Sequence, residues 1–304
     1  MKVATPKPLA TALLAVLALV AFAANSVLCR LALGETAIDP ASYTAVRLIA
    51  GAFTLAFIVY VVRQGSSSHT APSWTSAAML FLYAASFSFA YISLSTGIGA
   101  LILFAAVQIT MVGIGLYQGD RPQPTEWSGL IIALSGLICL VSPGITAPSP
   151  LGSALMAIAG FAWGIYSLRG RGAGDPVRAT TNNFMRAGPM ALVVVLLWHS
   201  HLKVTPMGLF LAVISGAITS GIGYVIWYAA LKGLTPTRAA TVQLSVPVIA
   251  AFAGVVFLSE EITLRLLLSA MAILGGVGLA VSSHTEKAKS EICQAGQLAH
   301  GREI

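Results

Sequence analysis

Long apolar runs alternate with short polar breaks along nearly the whole chain. The runs fall at 8–30, 41–63, 74–96, 99–118, 125–142, 150–169, 178–198, 207–230, 237–258 and 262–283. Each is near the length that crosses about 30 Å of hydrocarbon at about 1.5 Å per residue. Proline punctuates the breaks, at Pro40, Pro72, Pro122, Pro124, Pro143, Pro148, Pro150, Pro176, Pro206 and Pro236. The connections are short, so successive helices are expected to be antiparallel neighbours. The pattern predicts an all-α membrane protein of ten transmembrane helices.

Composition agrees: 57% of the residues are hydrophobic and 9% are charged, against about 45–50% and about 25% in an ordinary soluble domain. So little charge leaves most of the surface to face lipid. The net charge is +7, but the Lys and Arg residues are scattered singly between apolar runs, so nucleic acid is not an expected partner. Cys29, Cys139 and Cys293 have neither metal nor redox spacing and read as free thiols. Lys2, Lys7 and Ala21-Phe22-Ala23 resemble a signal peptide, yet the run continues to Cys29 and nine more follow. It is read as a retained first helix.

Lysine and arginine in the loops orient the chain. With a cytoplasmic N-terminus, the inner set is Lys2, Lys7, Arg63, Arg121, Arg169, Arg171, Arg178, Lys232, Arg238, Lys287 and Lys289, against Arg30, Lys203 and Arg265 outside. Eleven against three puts both termini in the cytoplasm. Sliding the sequence by 139 residues sets Phe22-Ala23 on Phe161-Ala162, Arg30 on Arg169, Arg47 on Arg186, and Thr96 on Thr235 without a gap. Five helices per half make the second half enter the membrane upside down. Residues 1–145 and 146–284 are therefore expected to be inverted-topology repeats, with a polar, disordered cytoplasmic tail over 285–304. Such repeats are a signature of secondary transporters, whose substrate site lies near the midplane between the halves.

The run Gly160-Phe161-Ala162-Trp163-Gly164, then Ala229-Ala230-Leu231-Lys232, Arg238-Ala239-Ala240, Pro247 and Ser259-Glu260-Glu261 resemble the EamA branch of the drug/metabolite transporter superfamily. Among its branches the YddG-type amino acid exporters look nearest. The resemblance implies a ten-helix transporter and covers nearly the whole chain. In the first half, Ala24-Asn25 replace the family's helix-1 Trp and Gln108 replaces its helix-4 Pro.

Acidic residues at mid-membrane would mark a proton relay. Asp39, Asp120, Glu126, Asp175, Glu260 and Glu261 all sit in loops or at helix ends, so carboxylate-driven antiport is not expected. Arg47 and Arg186 lie at matching depth in the two halves. Each is either a substrate anchor or gate, or a side chain that snorkels or bonds helix-end carbonyls. Tyr83, Phe87 and Tyr91 recur every fourth residue, and Tyr224, Trp227 and Tyr228 share a helix face. They line an apolar cavity or serve packing and the interfacial belt. Trp163 is the strongest single cavity candidate, lying mid-helix within the resemblance motif. Asn25, Ser86, Phe104, Gln108, Gln243 and Ser245 complete the candidate lining. Their polar members serve either as substrate contacts or as interhelical hydrogen bonds. Pro247 should kink the ninth helix, and Gly129, Gly136, Gly275, Gly276 and Gly278 should pack helices five and ten closely.

These features predict an exporter of small metabolites in a bacterial inner membrane. Amino acids, including aromatic and other apolar ones, are the foremost cargo; drug or lipophilic-toxin efflux is the alternative. His69, His199, His201, His284 and His300 fall in loops or the tail, which argues against an intramembrane enzyme. The expected partners are a small-molecule substrate and the lipid bilayer. A monomer suffices, and no catalytic residue, metal or cofactor is implied.

Overall fold

Pro40, Pro124, Pro150, Pro176, Pro206 and Pro236 each open a helix in the computed structural model. The first turn has no use for the missing N–H, and the ring presets φ. Polar side chains cap the same starts. Asp39 accepts from Ser42 N, Asp175 from Val177 N and Arg178 N, Thr205 from Gly208 N, and Thr235 from Arg238 N. The breaks read from the sequence are thus also the chemical start signals.

The structure describes residues 8–34, 37–62, 73–94, 96–119, 121–141, 149–171, 173, 175–258, 264, 267, 268 and 270–279. The helices are α1 (Pro8–Gly34), α2 (Pro40–Val62), α3 (Trp74–Ala90), α4 (Thr96–Tyr117), α5 (Pro124–Val141), α6 (Pro150–Arg171) and α7 (Pro176–Leu197). They continue with α8 (Pro206–Leu231), α9 (Pro236–Gln243), α10 (Ser245–Leu258) and α11 (Ala270–Leu279). Only Leu244 separates α9 from α10, so ten helical rods stand among the described residues. Among the described residues four helices, α1, α2, α6 and α8, are long and apolar enough by themselves to cross a membrane. The protein is a multi-pass integral membrane protein. Exposed Phe53, Phe57, Leu196, Val256 and Phe257 suit a lipid-facing surface. The tail over 285–304 lies outside the described residues, as do Asp120, Glu260 and Glu261.

The main packing runs between the halves of the sequence. Helix α6 lies against α3 and α4, α2 against α7 and α8, and α1 against α8 and α10. Glycine permits two of these approaches. A Cβ on Gly160 would strike the carbonyl of Leu103, and one on Gly216 would strike the carbonyl of Arg47. At one end of the bundle, Ile38 and Val204 form an antiparallel bridge. Beside it Lys203 N donates to Asp39 Oδ2 at 3.0 Å and Asp39 N to Lys203 O at 2.8 Å. The α5–α11 seam departs partly from expectation. Gly276 meets Gly129 and Ala133, and Gly136 meets Ala272 and Ile273, but Gly275 and Gly278 face open space.

Candidate functional site

Arg47 lies on α2 with 1% of its surface exposed. Its Nε donates to Ser220 Oγ at 2.8 Å, and its Nη2 donates to Tyr224 OH at 2.8 Å and Tyr83 OH at 3.3 Å. The guanidinium also stands 5.2 Å from the Tyr83 ring centre and 5.5 Å from that of Phe87. These partners are neutral. A guanidinium carries five N–H donors, and Nη1 is buried without a partner among the described residues.

Helix α8 reaches Arg47 through a wide π-helical turn, Ser215–Ile222. That turn also holds Asn25 of α1: Ser215 Oγ and Thr219 Oγ1 donate to Asn25 Oδ1 at 2.6 and 3.2 Å. Asn25 Nδ2 completes the link to Tyr83 OH at 3.5 Å. Aromatic rings enclose this polar knot. Trp163 of α6 stands 4.7 Å from Tyr224 and 5.0 Å from Tyr83, ring centre to ring centre. Phe22 packs edge-on to Trp163, Tyr224 and Trp227, and Tyr83 touches Phe87. Beyond the rings, Trp163 Nε1 donates to Gln243 Oε1 at 2.7 Å. Gln243 Nε2 donates to Met111 Sδ and to Ala239 O, each at 3.2 Å. Gln108, one turn before Met111 on α4, donates to Ala240 O at 2.7 Å. Residues from α1, α2, α3, α4, α6, α8 and α9 thus converge at the seam between the halves.

The EamA-like transporter family model matches residues 150–282. An uncharacterized protein of Pseudomonas aeruginosa, PA1977, is 46% identical over 281 residues, covering 92% of this chain and 98% of its own length. The chain belongs to the EamA-like transporter family. The threonine/homoserine exporter RhtA of Escherichia coli is 29% identical over 197 residues, covering 60% of this chain and 63% of its own length. A solved crystal structure shares the fold, with a TM-score of 0.69 at 17% identity over 87% of this chain and 98% of the other. This EamA-like protein is accordingly a transporter and not an enzyme.

Most of the residues singled out in the sequence meet in this transporter's seam: Asn25, Arg47, Tyr83, Phe87, Trp163, Tyr224, Trp227 and Gln243. Tyr91 continues the α3 stripe, its ring 4.8 Å from that of Phe87. Gln108 adjoins the far side. Ser86 and Phe104 are buried but join neither the hydrogen bonds nor the ring contacts of the knot among the described residues. Arg186 is separate. It is half-buried, donates to Asn182 O of its own helix at 3.2 Å, and stands 5.3 Å from the exposed ring of Trp74. Arg186 thus bonds a carbonyl inside its own helix, whereas Arg47 bonds side chains of α3 and α8 and, among the described residues, no carbonyl. Pro247 acts one turn early: it cannot donate to Gln243 O, and the helix is interrupted at Leu244.

Sequence reasoning missed Ser215, Thr219 and Ser220. The signal was their occurrence with Gly216, Gly221 and Gly223 inside an apolar run, where hydroxyls need partners. It also missed the buried ion pair of Arg238 Nε with Glu126 Oε1 at 2.9 Å. Asp39, Glu126 and Asp175 all bond at helix starts.

Proposed function

We propose that this chain is a secondary transporter that exports small metabolites, foremost amino acids, across a bacterial inner membrane. Aromatic and other apolar amino acids are included, in keeping with the resemblance to YddG-type exporters. Transport proceeds by alternating access between two inverted five-helix repeats, residues 1–145 and 146–284, with both termini cytoplasmic. One observation carries the reading: among the described residues, Arg47 is a buried cation with unused donors, tied only to neutral groups and walled by aromatic rings. A buried charge left without a counter-charge is costly, and a cargo carboxylate supplies one. The rings offer apolar area for a side chain. The threonine/homoserine exporter among the relatives supports the cargo class.

Drug efflux is the weaker reading, because a lipophilic cation would meet Arg47 as a like charge. The purified protein in lipid vesicles should move labelled amino acids faster than protein-free vesicles do. No movement across a panel of small, branched and aromatic amino acids would refute the export of amino acids.

A further inference from the structure

The polar groups of the seam treat the two ends of an amino acid unequally. Of the five Arg47 donors, three are taken by Ser220, Tyr83 and Tyr224, and those on Nη1 are left over among the described residues. They can bind a carboxylate by a charge-assisted hydrogen bond, roughly twice as strong as a neutral one. Among the described residues no carboxylate stands at the knot to pair with an ammonium group. The described carboxylates Asp39, Glu126 and Asp175 bond at helix starts, away from the Arg47 knot. Tyr83 and Tyr224 connect Arg47 to Trp163, and Trp163 connects through Gln243 to Met111, one turn from Gln108. An amide acceptor along this run is Gln108 Oε1, which is buried without a donor among the described residues. It is a neutral amide oxygen, and it accepts from a hydroxyl as well as from an ammonium.

Resting on the export reading above, we propose that the cargo carboxylate is obligatory at this site and the ammonium dispensable. The transporter then also carries 2-hydroxy acids and refuses amines that lack the carboxylate. Physically, a 2-hydroxy acid leaves the pair it forms with Arg47 neutral. An amino acid brings a second positive charge into the same dry seam, and an amine brings only that charge.

The test measures thermal stabilisation of the purified wild-type protein, since a ligand that binds the folded state raises Tm. Three side-chain series are used: alanine, leucine and phenylalanine, each beside the 2-hydroxy acid and the amine with the same side chain. In at least one series the hydroxy acid should raise Tm while the amine does not. Arg47→Gln should weaken that binding about tenfold or more. Arg47→Lys, which keeps the charge, should retain part of it and guards against a variant that fails to fold. If neither variant folds, the wild-type ranking decides. Stabilisation by amines without hydroxy acids, no response to any hydroxy acid, or full binding in both Arg47 variants overturns the proposal. Amino acids that bind while hydroxy acids do not would overturn it and leave the export reading intact. Hydroxy acids that bind while no amino acid crosses vesicles would do the reverse.

Discussion

The indole of Trp163 packs edge-on to Phe22 and tilts against Tyr83, Tyr166 and Tyr224, with its N–H committed to Gln243. Two roles meet in this side chain, and two substitutions separate them. Trp163→Phe keeps most of the ring area but strips Gln243 Oε1 of its donor, which should lower stability by about 1–3 kcal/mol. Trp163→Ala removes the ring as well and should lower it by about 3–5 kcal/mol. Melting curves give both values. In vesicles, the folded fraction of Trp163→Ala should lose transport of bulky apolar substrates more than of small polar ones. Normal transport of every substrate by that fraction would remove Trp163 from the cargo site. Much of this neighbourhood was legible from residue type and depth: a mid-helix Trp, an aromatic stripe at helical spacing, an Arg inside an apolar run. The partners were not. Ser220 lies 173 positions from Arg47, and no local pattern encodes which buried hydroxyl faces a guanidinium. Matching depth likewise gave Arg47 and Arg186 the same reading, although only packing determines that one turns inward and the other binds its own helix.

Among the helices, α8 departs most from regularity. Its wide turn spans Ser215–Ile222 and brings three hydroxyl side chains onto α1 and α2. Short π-helical insertions in α-helices recur at functional sites. The close approach depends on Gly216, whose hydrogen stands against the backbone of Arg47. Gly216→Ala should push α8 from α2, lower stability by about 1–3 kcal/mol and loosen the Ser220–Arg47 bond, so transport should fall with Tm. Gly278→Ala on α11 is the control. Its Cβ meets nothing within 4 Å, and the change should stay within about 0.5 kcal/mol. Equal effects of the two would mean that the contact between α8 and α2 contributes little. Helix starts were readable because proline and the capping residues are local signals. The wide turn was not, since its geometry is selected by Asn25 and Arg47 on other helices. Pro247 was readable as a disturbance, but its consequence falls at Leu244, where the carbonyl it cannot reach lets the helix break.

At the scale of the whole molecule, four polar links among the described residues bind helix ends in pairs. Arg30 at the end of α1 reaches Tyr91 O after α3, and Asp39 before α2 joins Lys203 before α8. Arg169 at the end of α6 reaches Ser73 and Ser76 at the start of α3, and Glu126 at the start of α5 pairs with Arg238 at the start of α9. In a chain whose helices alternate in direction, the first two contacts fall on one face of the membrane and the last two on the other. Glu126 and Arg238 are both nearly buried. Glu126→Gln, which leaves Arg238 without its counter-charge, should therefore lower stability by about 3–5 kcal/mol. Replacing both residues with apolar ones should recover much of that loss. The Lys and Arg count predicts the absolute direction. Arg169 and Arg238 belong to the rich set of eleven, Arg30 and Lys203 to the poor set of three, so the Glu126–Arg238 face should be cytoplasmic. Single cysteines at Gln123 and Ser200, in a background with Cys29, Cys139 and Cys293 replaced by serine, test this with a membrane-impermeant maleimide on intact cells. Both positions lie in short connections between helices, Gln123 just before α5 and Ser200 between α7 and α8. The reagent should label Ser200→Cys from outside and reach Gln123→Cys only after the membrane is opened. The opposite pattern would invert the molecule while preserving every contact described above, because alternation fixes which ends share a face and only the charge bias decides which face is inside.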